Sequence, residues 1–182
     1  MPADAGQNHG HPHTKPTSKA EEIFQGMQAM SIAEIQQRIN WRLLKEDDYD
    51  KGFCDVLKQL TTCETSKDKF QEVYRDMLQL YDTYTTLVGE DTETGRIVVS
   101  GSLILEKKFV HNGSSVGHIE DIVVTESFRG KHVGKELIRR LTKMAKEKNC
   151  YKVILNCSEK NKAFYEKCGY SPREVEMVVY FD

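Results

Sequence analysis

The sequence predicts a single mixed α/β domain of about six strands and about four helices, and three observations carry that reading. Apolar side chains recur at helical spacing through residues 48–61 and 66–80, the period drops to two over 82–124, and it returns to 3.6 after Gly134. The segments DTETG and HNGSS, which interrupt the alternating region, are turn chemistry. A chain of 182 residues with 38% hydrophobic content can bury one ordinary core, and no repeat or internal linker divides it.

Taken in order, residues 1–37 form an N-terminal arm. Its first twenty residues are rich in Pro, Gly, His, Thr and Ser and are expected to be disordered. His9, His11 and His13 alternate there, but without a second ligand set no specific metal site is expected. Ser18-x-x-Glu21 has capping-box spacing, and Ile23, Phe24, Met27 and Met30 then share one face, so an amphipathic helix is expected over 18–30. Whether it docks on the domain or reaches a membrane or partner is left open.

The domain proper spans 38–182. RINWRLL, from residue 38, reads as a strand. DYDKGFCDVLKQLT carries a stripe of Phe53, Val56, Leu57 and Leu60, and SKDKFQEVYRDMLQL one of Phe70, Val73, Met77 and Leu80, so each reads as a helix. Residues 82–89, 96–110 and 116–124 then read as three antiparallel strands in a meander. A helix carrying Leu137, Ile138, Leu141, Met144 and Ala145 ends among lysines that suit a helix C-terminus. YKVILNC is a further strand, KNKAFYEKCG a short helix ended by Gly169, and EVEMVVYF a last strand.

Composition excludes several classes of function. A formal net charge of −2 gives no general basic face for nucleic acid or a membrane surface, so any anion site must be local. The longest apolar runs are only four or five residues, too short for a transmembrane helix or a signal-peptide core. Five cysteines, an odd number without a C-x-x-C pair, predict reduced thiols, no disulfide framework and no zinc. A cytoplasmic protein is the simplest expectation.

The most informative stretch is SFRGKHVGKELI at 127–138, placed between a strand and a helix. Gly130 to Gly134 is one spacer short of a Walker A loop, and Glu136 stands where a magnesium-binding hydroxyl is needed. The dinucleotide spacing G-x-G-x-x-G fails as well. Two readings remain: a metal-free phosphate or pyrophosphate cradle at a helix N-terminus, aided by Arg129, Lys131 and Lys135, or a structural turn that needs glycine.

This stretch resembles the Q/R-x-x-G-x-G/A loop of the GCN5-related N-acetyltransferase (GNAT) superfamily. Arg129 stands at its first position, His132 where the first glycine is usual, and Gly134 at its last. LKQLTT, EKKFVH, GHIEDIVV, NCYKVIL and NKAFYEKCGY, in that order, extend the likeness over residues 38–182 to the glucosamine-6-phosphate N-acetyltransferase family. The resemblance implies the GNAT fold, a central mostly antiparallel sheet whose strands splay at an acetyl-CoA site. Ile122, Val123 and Val124 would pair with the pantetheine, the pyrophosphate would rest on Gly130, Lys131, His132, Val133, Gly134 and Lys135 beside Arg129, and Asn161 and Tyr165 would meet the coenzyme. Asn161, read alone, is equally a helix cap.

For the chemistry, the resemblance sets Tyr165 against the coenzyme sulfur. A phenol of pKa ~10 facing a thiol of ~8.5 is first a hydrogen-bond donor to the thiolate and only second an acid. Glu120, Asp121 and Ile122 would lie against the sugar, with Glu120 accepting the amine proton, directly or through water. As neighbours in a strand, the two acids should face opposite sides. Asn156 is implied near the amine. The acceptor phosphate would meet Thr61, the Lys108-Phe109-Val110-His111 stretch, and Tyr151 with Lys152 from the partner of a homodimer with composite sites. Taken singly, these are also ordinary helix-end, hairpin and strand-end residues. Asn156 replaces an acid and Tyr180 an arginine that relatives often carry. The expected activity is acetyl-CoA-dependent N-acetylation of glucosamine 6-phosphate, without metal or nucleic acid. The alternatives are acetylation of another small amine and a non-catalytic acyl-CoA-binding role.

Overall fold

The computed structural model describes Gly26 and residues 30–181. The helix expected over 18–30, and His9, His11 and His13, lie outside the described residues. The first described element is a helix that the sequence reading passes over, α1 (Ile32–Arg38). Its own capping box starts it: the Ser31 side chain accepts from the Glu34 N–H and Glu34 accepts from the Ser31 N–H. Ile35 buries completely in the core.

The strands are β1 (Ile39–Leu43), β2 (Tyr84–Asp91), β3 (Ile97–Lys107), β4 (Ser115–Val124) and β5 (Cys150–Ile154), in the sheet order β1-β2-β3-β4-β5. β2, β3 and β4 form the expected antiparallel meander, β1 pairs antiparallel with β2, and β5 pairs parallel with β4. A parallel neighbour requires a crossover, and α4 (Val133–Glu147) supplies it. The helix between β1 and β2 that the sequence shows as one stripe is broken. A 3-10 turn (Glu46–Tyr49) precedes α2 (Phe53–Leu57), with Gly52 between them at φ 82, where a Cβ would sit 2.4 Å from the Arg96 guanidinium. Then come α3 (Lys67–Gln79) and, after β5, α5 (Glu159–Glu166).

The expected sixth strand does not form. Residues 171–181 have no regular secondary structure, and Val175, Met177, Val178, Val179, Tyr180 and Phe181 are between 64% and 89% exposed. A strand is held by a neighbour's ladder, and the alternation in EVEMVVYF finds none among the described residues. The sheet therefore has five strands.

The two faces of the sheet carry separate apolar clusters. Ile35, Leu103, Ile119, Phe128, Leu137, Ile138 and Leu141 pack between the sheet, α1 and α4, while Phe53, Val56, Phe70, Val88, Ile97 and Val123 pack beneath α2 and α3. Ile119 and Val123, on one strand, belong to opposite clusters, which strict alternation forbids. The cause is a β-bulge. Ser100 pairs with Val123 but Ser102 with Glu120, so Asp121 and Ile122 oppose the single residue Gly101, and Asp121 adopts the left-handed conformation at φ 52. A Cβ at Gly101 would sit 2.4 Å from the Ile122 Cδ1 and 3.0 Å from the Leu137 Cδ2, so any side chain there must push its neighbours aside.

Candidate active site

β4 and β5 pair only from Ser115↔Cys150 to His118↔Ile154. β4 then runs on to Val124 without a partner on that side, while β5 ends. The two strands thus splay, and the backbone of Ile119–Val124 is left as an internal edge open to an extended ligand. Above the gap lies a cleft of about 680 Å³ lined by Ile122, Val124, Phe128, Arg129, Gly130, His132, Val133, Gly134, Lys135, Asn161, Phe164, Tyr165, Lys167 and Cys168. Of the expected coenzyme residues, only Val123 and Lys131 are missing from this lining. The Val123 side chain turns into the second core, leaving only its backbone for a ligand, and the Lys131 ammonium donates to the Met30 carbonyl at 3.3 Å.

The loop is built for close approach. Gly130 and His132 both have positive φ, 73° and 61°, and His132 is the residue before the first turn of α4. A histidine tolerates this conformation at a cost of roughly 1–2 kcal/mol that a glycine would not incur. Gly134 stands where a Cβ would approach Phe164 Cζ to 3.3 Å and Val124 Cγ2 to 3.5 Å, so its missing side chain keeps the cleft floor open. The first free N–H groups of a 15-residue helix open on this floor, as an oligophosphate requires. From α1, Gln36 donates to the Lys131 carbonyl at 3.1 Å, which braces the loop from behind.

Tyr165 lines the cleft, whereas Glu120 is not among its lining residues, although its charge acts on Tyr165. Glu120 is half-buried and Asp121 exposed, so the bulge, rather than simple alternation, separates the two acids. Burial raises the Glu120 pKa above the ordinary carboxyl value; Asp121 and then Glu176 of the C-terminal segment push the same way, and His118 opposes them. Tyr165, on α5, is pushed up to about 12 by burial, with Cys157, Cys168, Tyr170 and Glu120 adding to it. Its ring is fixed edge-on between Phe164 at 5.0 Å and Tyr170 at 6.3 Å, and the Tyr170 hydroxyl is itself bonded to Thr142 at 2.7 Å. Asn161 is not the cap of α5, a place Ser158 takes; it sits one turn in and lines the cleft.

The expected acceptor residues divide into two groups. Thr61 follows α2, and Asn156 lies in the loop between β5 and α5, near the splayed end of the sheet. Lys108, Phe109, Val110, His111, Tyr151 and Lys152 gather at the opposite end. The His111 ring stacks on Tyr151 at 4.1 Å, and the Lys152 ammonium lies 5.9 Å from the same ring. Ser115 begins β4 at that end, and five residues of strand, about 16 Å, separate it from Glu120. The stacked His111 and Tyr151 lie at that far end of the strand. Lys108 is paired with Glu106, and Glu106 also meets His118 Nε2 at 3.0 Å. Sequence reading missed His118, Phe164, Lys167 and Cys168; the last three lie within NKAFYEKCGY, whose helical spacing turns them and Tyr165 toward one cleft.

Residues 53–170 match the Acetyltransferase (GNAT) family. The chain belongs to this family. It is 46% identical over 148 residues to the glucosamine 6-phosphate N-acetyltransferase of Candida albicans, covering 81% of this chain and 99% of that one. It is 41% identical over 146 residues to glucosamine 6-phosphate N-acetyltransferase 1 of Dictyostelium discoideum, covering 80% and 93%. The crystal structure of glucosamine-6-phosphate N-acetyltransferase from Arabidopsis thaliana superposes with a TM-score of 0.77 at 41% identity, over 79% of this chain and 99% of that one. The splayed sheet is thus that of a GNAT acetyltransferase, and acyl transfer to an amine is its chemistry.

Proposed function

We propose that this chain transfers the acetyl group of acetyl-CoA to the amine of glucosamine 6-phosphate, giving N-acetylglucosamine 6-phosphate for UDP-N-acetylglucosamine synthesis. The observation that carries the reading is the unpaired stretch of β4: it leads from Glu120 to the positive-φ loop and faces Tyr165 across the gap. The names of the relatives supply the acceptor.

Pantetheine adds to the open edge of Ile119–Val124 as a strand would, and the pyrophosphate rests on the N–H groups from Gly130 to Lys135, with Arg129, Lys135 and Asn161 beside it. The amine nitrogen attacks the thioester carbonyl carbon. The new C–N bond forms, the C–S bond breaks, and the thiolate departs. Tyr165, held neutral, donates a hydrogen bond to that thiolate. Glu120, its pKa raised by burial, accepts the amine proton directly or through water, and Asn156 orients the amine.

The acceptor phosphate requires several donors, and Lys108 and His111 of the same chain supply some of them. We infer a homodimer in which Tyr151 and Lys152 of the partner subunit complete the phosphate pocket beside Thr61, Lys108 and His111. The exposed apolar residues of 171–181 are the natural material of its interface. No helix among the described residues is long and apolar enough to cross a membrane, and five free cysteines fit a cytoplasmic setting.

A thiol-release assay on the purified chain with glucosamine 6-phosphate, glucosamine and a polyamine tests the reading. Release with the phosphorylated sugar alone, reduced in Tyr165→Phe, is expected. Turnover of another amine instead, or acetyl-CoA binding without any turnover, overturns the acceptor assignment.

A further inference from the structure

Gln59 lies outside the cleft, two residues past the end of α2, and both ends of its side-chain amide are bonded to the segment that opens the coenzyme loop. Its Nε2 donates to Thr125 Oγ1 at 2.7 Å, and its Oε1 accepts from the Glu126 N–H at 2.9 Å and from Arg129 Nη2 at 3.3 Å. Arg129 in turn donates through Nε to the Val124 carbonyl at 2.9 Å, at the very end of the open strand. One amide therefore ties together the last residue of β4, the turn after it and the first basic residue of the loop.

The tie has a firm anchor. Val56, 3% exposed, pins α2 into the second core, and the backbone bonds Gln59 N–H to Val56 C=O at 3.0 Å and Thr61 N–H to Leu57 C=O at 3.1 Å fix the turn that follows. The tied segment holds its own shape without Gln59: Thr125 N–H bonds Val98 C=O at 2.8 Å, Phe128 N–H bonds Thr125 C=O at 2.9 Å, and Phe128 is 2% exposed. What Gln59 adds is orientation of that segment relative to α2, rather than its folding.

We propose that Gln59 is a positioning residue for the coenzyme, holding Arg129 and the loop entrance at the height where the pyrophosphate is received. Because it stands two residues before Thr61, it also keeps the acceptor-side turn in register with the donor loop. This rests on the reading of the cleft as the acetyl-CoA site.

Calorimetric titration of the full chain with acetyl-CoA, beside steady-state kinetics, tests it. Gln59→Ala is expected to weaken acetyl-CoA binding about tenfold, since the net worth of the three exposed bonds is only about 1–1.5 kcal/mol. The acetyl-CoA KM should rise in step, with kcat and the acceptor KM changing less. Gln59→Glu, which keeps both acceptor contacts and loses the donor, should recover part of the loss. Thr125→Val should weaken binding less than Gln59→Ala and add little to it in the double variant. Unchanged acetyl-CoA affinity in Gln59→Ala, no recovery in Gln59→Glu, or strictly additive losses would overturn the proposal. Binding is read without an acceptor, so a wild-type chain that binds acetyl-CoA but leaves glucosamine 6-phosphate unacetylated removes only the acceptor assignment. A wild-type chain that does not bind acetyl-CoA removes both.

Discussion

Tyr165 keeps its proton well past neutrality. Burial, with Cys157 and Cys168 next, lifts its pKa from 10.0 to about 12, so the folded protein binds a proton that the unfolded chain releases between those values. Its contribution to stability is therefore complete below pH 10 and fades as pH rises toward 12. Denaturant titrations at pH 9 and 11 should show this decline in the wild type and a smaller one in Tyr165→Phe. The same substitution should lower kcat by roughly 10²-fold, the lower range for a positioned proton donor, with little change in acetyl-CoA affinity. Glu120 has the opposite consequence for rate. Burial and Asp121 raise its pKa, and a base works only when deprotonated, so activity should rise with pH through that raised value. Glu120→Gln should lower kcat/KM and remove this acid limb from the pH profile.

Among the elements, the helix–strand junction at α1 and β1 depends on a buried ion pair. Arg38 and Asp91, 7% and 1% exposed, share two hydrogen bonds, one of 2.7 Å, and the Thr94 hydroxyl and Glu93 N–H complete the carboxylate. Burial alone would raise the Asp91 pKa, but Arg38, Thr94 and Glu93 outweigh it and hold it below 3.8. The stability it contributes is therefore present above that value and lost as pH falls below it. Asp91→Ala leaves the buried guanidinium with Glu93, itself 62% exposed, as its remaining carboxylate, and should cost about 3 kcal/mol in urea denaturation. Gly101→Val should also destabilise, because its side chain must displace Ile122 from the bulge, and circular dichroism melts will register the loss.

These elements were unequally legible. The meander and α4 follow from hydrophobic period, since burial on one face writes that period into the sequence. Helix α1 carried a proper signal, Ser31-x-x-Glu34, but with only seven residues its apolar stripe is short, and the similar spacing at Ser18 competed with it. The bulge left no trace. An aspartate at positive φ breaks no composition rule, and GHIEDIVV reads as a strand whether or not Asp121 is looped out. Gly130 and Gly134 marked the loop; that Tyr165 faces the unpaired end of β4 is a property of the sheet's divergence, which no local pattern records.

At the scale of the whole molecule, the last strand shows the limit most plainly. The alternation in EVEMVVYF was real, but no strand among the described residues pairs with it, and 171–181 is left exposed. Truncation after Tyr170 should give a folded monomer by sedimentation, with acetyl-CoA bound and turnover of glucosamine 6-phosphate lost. In the proposed homodimer, Tyr151 and Lys152 would then have no neighbour to serve.

The short pairing of β4 with β5 also sets an order of assembly. Hairpin neighbours β2, β3 and β4 meet across short turns, so their loop-closure entropy is small, whereas β5 joins only after α4 has formed between them. With four paired positions to hold it, β5 is the strand most readily lost in partial opening. A coenzyme that fills the gap would act as a staple on the last-formed part of the sheet, slowing amide exchange in β4 and β5 far more than in β1 and β2.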